Sequence, residues 1–119
     1  MAAPEPAKGG GDFTPRPRVQ APDSVARGEV FQIKTLIEHR METGLRRDDQ
    51  GHVIPRKIIN RFVCRYNDDV VFAVDLHEAV AANPYLEFYL RATRGGRLEF
   101  VWEEDGGGVY ELAHDLKVV

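Results

Sequence analysis

The stretch Glu29-Val30-Phe31-Gln32-Ile33-Lys34-Thr35-Leu36-Ile37-Glu38 decides the fold class. Phe31, Ile33, Thr35 and Ile37 recur at every second position, so they share one face of an extended chain, whereas a helical period would scatter them. The same period returns downstream. Phe62, Cys64 and Tyr66 share a face within Ile58–Tyr66; Leu86, Phe88 and Leu90 do so within Tyr85–Ala92; Leu98, Phe100 and Trp102 do so within Leu98–Trp102. Val109–Val118 turns Tyr110, Leu112 and Leu116 inward, with His114 a further inward candidate. Val70–Val74 adds a strand after the turn Asn67-Asp68-Asp69, and Arg16–Ala21 adds a short one at the start. Asp105-Gly106-Gly107-Gly108 makes another turn, where glycine adopts positive φ cheaply. About seven short strands in roughly 100 residues predict an all-β, immunoglobulin-like β-sandwich, with Trp102 as its core tryptophan.

Two segments break the period. His39–Pro55 is a long polar connection that nevertheless carries Met41, Leu45, Val53 and Ile54. Long connections inside compact domains are more often functional than short ones. Leu76–Asn83 reads as a short helical turn closed by Asn83-Pro84, because proline disfavours helical geometry at the residue before it. The N-terminal stretch differs again. Residues 1–22 hold five of the seven prolines and the run Gly9-Gly10-Gly11, with few bulky apolar residues to offset the entropy of ordering. Residues 1–15 are therefore expected to be a flexible extension, and residues 16–119 one domain. A continuous apolar core of about 7–15 residues is missing from that stretch, so no secretory signal is expected there.

Composition narrows the function classes. The 119 residues suit one domain; 43% are hydrophobic and 29% charged, ordinary for a globular protein and too apolar for a disordered one. No apolar run is long enough for a transmembrane helix, and membrane insertion is not expected. A net charge of −3 gives no global reason to bind nucleic acid or anionic lipid. The charge is unevenly spread, however. Residues 39–66 carry seven bases against three acids, and residues 68–119 carry four bases against 11 acids. That basic segment reads either as a contact for an anionic ligand or partner, through Arg46, Arg47, Arg56 and Lys57, or as an ordinary solvated face. Nucleic-acid binding lacks the needed interleaving, since Phe62 and Tyr66 fall on the opposite strand face from Arg61 and Arg65.

No catalytic constellation stands out. Ser24 is the only serine and precedes the main strands; Cys64 shares a face with two aromatics, where a buried inert thiol is the simpler reading. A single cysteine also excludes an intramolecular disulfide and a cysteine-based zinc cluster. His39, His52, His77 and His114 show no metal-ligand spacing, and no EF-hand pattern accompanies Asp48, Asp49, Asp75 and Glu78. The glycine run at 106–108 lacks the Lys and Ser/Thr of a phosphate loop. No catalytic residue, cofactor or metal is expected.

The strings Thr35-Leu36-Ile37-Glu38-His39-Arg40-Met41-Glu42-Thr43-Gly44-Leu45-Arg46 and Gly51-His52-Val53-Ile54-Pro55-Arg56-Lys57-Ile58-Ile59 closely resemble the SoxZ family. Phe72-Ala73-Val74-Asp75-Leu76-His77, Ala82-Asn83-Pro84-Tyr85-Leu86 with Phe88, and the closing Phe100–Tyr110 hairpin extend the resemblance over about residues 17–119. It implies the smaller, immunoglobulin-like subunit of the SoxYZ sulfur carrier of thiosulfate oxidation. In that carrier SoxY bears a mobile C-terminal arm ending Gly-Gly-Cys-Gly-Gly, and pathway intermediates are attached to its cysteine. This sequence ends Leu116-Lys117-Val118-Val119, so it is expected to be the subunit without the arm.

The resemblance thus implies a non-catalytic scaffold. It would form a heterodimer with SoxY, make transient contact with other Sox enzymes, and work in the periplasm after co-export with a signal-bearing partner. Met41, Leu45, Val53 and Ile54 are the candidate partner contacts, because an obligate heterodimer needs more exposed apolar surface than a lone monomer shows. Arg46, Arg47, Arg56 and Lys57 are the candidate contacts for sulfur oxyanions on the arm or for acidic patches of client enzymes, a task suited to the arginine fork. The alternative is a stand-alone periplasmic ligand- or metal-binding module using His39, His52 or His77.

Overall fold

The computed structural model describes residues 14–77 and 83–119. Residues 1–13 of the expected extension, and most of the helical turn expected at Leu76–Asn83, lie outside the described residues. Among the described residues eight strands form: β1 (Arg16–Gln20), β2 (Ser24–Val25), β3 (Val30–Glu38), β4 (Ile59–Tyr66), β5 (Asp69–Asp75), β6 (Tyr85–Arg91), β7 (Gly96–Glu104) and β8 (Val109–Val118). Seven match the expected runs to within two residues. The eighth, β2, is a two-residue strand that pairs parallel with the end of β8, too short to carry a period of its own.

The strands form a three-stranded sheet, β1-β3-β6, and a five-stranded sheet, β2-β8-β7-β4-β5. Period-two burial drives the two sheets face to face, as expected for an immunoglobulin-like sandwich. β3 alternates without a break, with Phe31, Ile33, Thr35 and Ile37 buried. Opposite it, Phe62, Cys64 and Tyr66 of β4 and Leu98, Phe100 and Trp102 of β7 are buried as well. Phe62 sits at the centre, its ring 5.2 Å from Trp102, 5.9 Å edge-on from Phe88 of the other sheet, and 6.4 Å from Phe100. Such aromatic pairs add to the burial energy of the sheets that carry them.

The turns obey local chemistry. Asn67 and Asp68 take φ of 50° and 72°, the left-handed pair of a tight hairpin turn, and Asn67 Oδ1 accepts the Arg97 amide at 2.9 Å. The β7–β8 turn uses Gly106 and Gly107, at φ 90° and 97°. Among the described residues no helix is long and apolar enough to cross a membrane.

Candidate functional site

The long connection between β3 and β4 is an ordered ribbon. Glu42 and Lys57 exchange both backbone hydrogen bonds (2.9 and 2.8 Å), the Ile54 amide donates to Arg46 O at 2.8 Å, and the Asp48 amide donates to His52 O at 2.9 Å. Asp48 also caps the tip: its Oδ1 accepts the amides of Gln50 and His52, each at 2.9 Å, while Gly51 at φ 83° closes the turn. The polar composition of this segment serves a hairpin that is solvent-exposed from Leu45 to Val53 and held by its own backbone pairs and by ion pairs at its root.

That root is fastened to one dipeptide, Glu104-Asp105, at the end of β7. His39 leaves β3 with its side chain 3% exposed, and its Nε2 lies 2.5 Å from Glu104 Oε2, itself on a side chain 6% exposed. Tyr110 Oη donates to Glu104 Oε1 at 3.2 Å, and Lys57 Nζ approaches the same oxygen at 3.9 Å. Burial, with the Glu104 carboxylate beside it, pushes the Tyr110 phenol up. Asp105 takes the returning strand: Arg56 grips it through Nε at 2.7 Å and Nη2 at 2.9 Å, and Asn60 Nδ2 and the Ile58 amide donate at 2.9 and 3.2 Å. The Arg56 hydrogen bond holds the Asp105 carboxyl below its ordinary value, with Asn60 and the Ile58 amide acting in the same direction against a desolvation that opposes them.

The eight candidate contact residues fall into two groups. Met41 is half-buried, packed against the core, and its Sδ accepts the Ile59 amide at 3.4 Å. Ile54 is also half-buried, whereas Leu45 (84% exposed) and Val53 (49%) present apolar surface to solvent. Among the bases, Arg56 and Lys57 belong to the root, while Arg46 and Arg47 lie toward the tip. Arg46 makes a two-pronged bond to Glu42 (2.7 and 3.2 Å), which depresses the Glu42 carboxyl and raises the guanidinium, the hydrogen bond being the larger cause in each. Arg47 donates to Gly51 O at 2.8 Å, and no carboxylate pairs with it among the described residues. The uneven charge along the sequence is thus largely internal: Arg56, Lys57 and Arg61 meet Asp105, Glu104 and Asp75 of the acidic half.

The histidines do not converge. His39 pairs with Glu104, exposed His52 lies 3.7 Å from Asp48, His114 Nε2 bonds Pro22 O at 2.9 Å, and His77 is exposed. Among the described residues no three His, Cys, Asp or Glu side chains group as a metal site would require. Cys64 is fully buried between the sheets, and burial pushes its thiol up to about 12.

The sequence model of the family described as sulphur oxidation protein SoxZ matches residues 19–114. The chain belongs to the SoxZ family. Membership gives it a role in the Sox system of sulfur oxidation. No curated protein matches the chain. Among solved structures it is similar to a superoxide reductase (neelaredoxin) from Ignicoccus hospitalis, at 19% identity and TM-score 0.68, covering 87% of this chain and 79% of that one. A putative superoxide reductase from Thermotoga maritima is similar at 17% identity and TM-score 0.65, covering 87% and 85%. At such identities the likeness is one of fold, and it agrees with the all-β sandwich of this SoxZ chain.

The sequence reading missed the pairing of His39 with Glu104 and the fastening role of Asp105. The signal was present. His39 is the next inward position after Phe31, Ile33, Thr35 and Ile37, and Glu104 is the next after Leu98, Phe100 and Trp102.

Proposed function

We propose that this chain is the non-catalytic scaffold subunit of a sulfur carrier, paired as a heterodimer with SoxY in the periplasm. The covalently bound sulfur intermediates ride on the C-terminal cysteine arm of SoxY, and this subunit helps present that arm to the other Sox enzymes. The observation that carries the reading is Cys64. A carrier of covalent sulfur needs an accessible thiolate, and the single thiol of this chain is sealed in the core with its ionisation suppressed. The sulfur-bearing cysteine must then come from a partner.

The ribbon supplies the contact surface in this reading. Leu45 and Val53 offer exposed apolar side chains on a hairpin whose root is rigidly fastened, and such preorganisation lowers the entropic cost of association. Arg47, with no carboxylate partner among the described residues, is the base best placed to meet a sulfonate or thiosulfonate, or an acidic patch on a client enzyme. Affinity-tagged chain isolated from its native host, with intact-mass analysis of the co-purifying protein, tests the assignment. A stoichiometric partner ending Gly-Gly-Cys-Gly-Gly and carrying sulfur adducts is expected. A lone monomer would return the chain to the alternative of a stand-alone binding module.

A further inference from the structure

The two sides of the sandwich are finished differently. On one, β2 pairs with β8 and β1 packs against β8, so the sheets are joined. On the other, β5 ends the five-stranded sheet and β6 ends the three-stranded sheet, with no further strand beside either among the described residues. β5 reads Asp69-Val70-Val71-Phe72-Ala73-Val74-Asp75; a bulge leaves Val71 without a partner on β4, but no proline, glycine or lysine discourages pairing along its open edge. Val70 is 57% exposed and Val71 41%. Phe72 turns inward onto Phe88, ring centroids 4.3 Å apart and nearly parallel, but remains only half-buried. On the outer face Ala73 lies beside Val63, and Val63 beside Val101, so an apolar row runs inward from the edge.

The ends of this strand say what does and does not fit. Two copies of β5 aligned antiparallel about Phe72 would set Asp69 of each against Asp75 of the other; aligned in parallel, each aspartate would face itself. Like charges directly opposite one another on paired strands are destabilising, so a second copy is disfavoured in either full-length register. Asp75 is partly compensated by Arg61 at 2.8 Å, but Asp68 and Asp69 have no ion pair among the described residues. The charge pattern therefore repels its own kind and favours a segment with basic ends.

We propose that the free edge of β5 receives an extended segment of the partner subunit, about seven residues long, with apolar side chains at alternate positions and a lysine or arginine at each end. Main-chain hydrogen bonds would supply affinity, and the aspartates would fix register and exclude self-pairing. This deepens the carrier-subunit reading and rests on it, since the occupant is SoxY.

Hydrogen exchange on the chain alone and on its purified complex with SoxY tests the proposal. Amides of residues 69–75 that point away from β4 are expected to slow at least tenfold in the complex. A complex that forms while these amides exchange as before would overturn the edge proposal and leave the pairing with SoxY intact. Absence of any complex would overturn both. Val71→Lys provides a second reading: the exposed lysine is expected to leave the melting temperature of the isolated chain unchanged while weakening SoxY binding tenfold or more. Unchanged affinity would overturn the proposal.

Discussion

His39 Nε2 and Glu104 Oε2 meet 2.5 Å apart at the end of the core, on side chains that are almost wholly buried. Each continues the inward series of its own strand, one from each sheet, so the pair closes the sandwich where the apolar residues stop. It also fixes the point at which the ribbon departs, because His39 is the ribbon's first residue and its amide is held by Asn83 Oδ1 at 2.8 Å. The His39 ring retains an unpartnered buried Nδ1, so Glu104 is its only side-chain partner among the described residues.

Removing one member of the pair should therefore cost more than the pair contributes. Glu104→Ala leaves a buried imidazole and the Tyr110 hydroxyl without their acceptor, and a loss of about 3–5 kcal/mol in urea unfolding is expected. The double change His39→Leu with Glu104→Leu should recover the part of that loss that comes from the buried imidazole, while the Tyr110 hydroxyl still lacks its acceptor. A double variant no more stable than Glu104→Ala would show that the pair has a structural value beyond satisfying each other's buried polar atoms.

Asp105 gives the stability a definite pH dependence. Its folded-state pKa lies below the unfolded value, so its contribution is present in full above the unfolded pKa and is lost as pH falls through the lower folded one. Unfolding measured below about pH 4 should accordingly show a falling stability that Asp105→Asn flattens. Because Asp105 holds Arg56, Ile58 and Asn60, amides of residues 56–60 should lose exchange protection in acid before those of β3 and β7.

What could be read from the sequence follows from where periodicity acts. Strand β3 was legible to within a residue because every second side chain is driven into the core, and the turn at Asn67-Asp68 was legible because few residue types accept its backbone geometry. The ribbon was legible only as a break in the pattern. Its order comes from backbone pairs such as Glu42 with Lys57 and from contacts such as Arg56 with Asp105, 49 positions apart, which leave no local signature. Met41 and Leu45 looked alike for the same reason: both are apolar residues in a polar loop, and only the path of the ribbon turns one onto the core and the other into solvent.

Cys64 should behave as a core residue and not as a reagent. With its thiol pushed up to about 12 by burial, labelling by a thiol-specific disulfide reagent at neutral pH should proceed only as fast as the chain opens. The rate should rise with urea in step with unfolding. Cys64→Ala should remain folded and retain full partner binding, whereas rapid labelling of the native chain would overturn the assignment of the sulfur-bearing thiol to a partner.

On the ribbon, exposed and core-packed apolar side chains can be changed separately. Leu45 at 84% exposure and Val53 at 49% bury little on folding, so Leu45→Asp and Val53→Asp should each change the stability of the isolated chain by no more than about 0.5 kcal/mol. Met41→Asp would instead place a carboxylate against the core and should destabilise the fold by several-fold more, which makes it unsuitable as a binding probe. If the ribbon carries the partner contact, the two exposed changes together should weaken SoxY binding at least tenfold in calorimetric titration, through faster dissociation. Arg47→Glu should act differently. A solvent-exposed charge steers encounter, so its reversal should slow association at low salt and have little effect at high salt. Binding that ignores all three substitutions would remove the ribbon from the interface and leave the open β5 edge to account for the pairing.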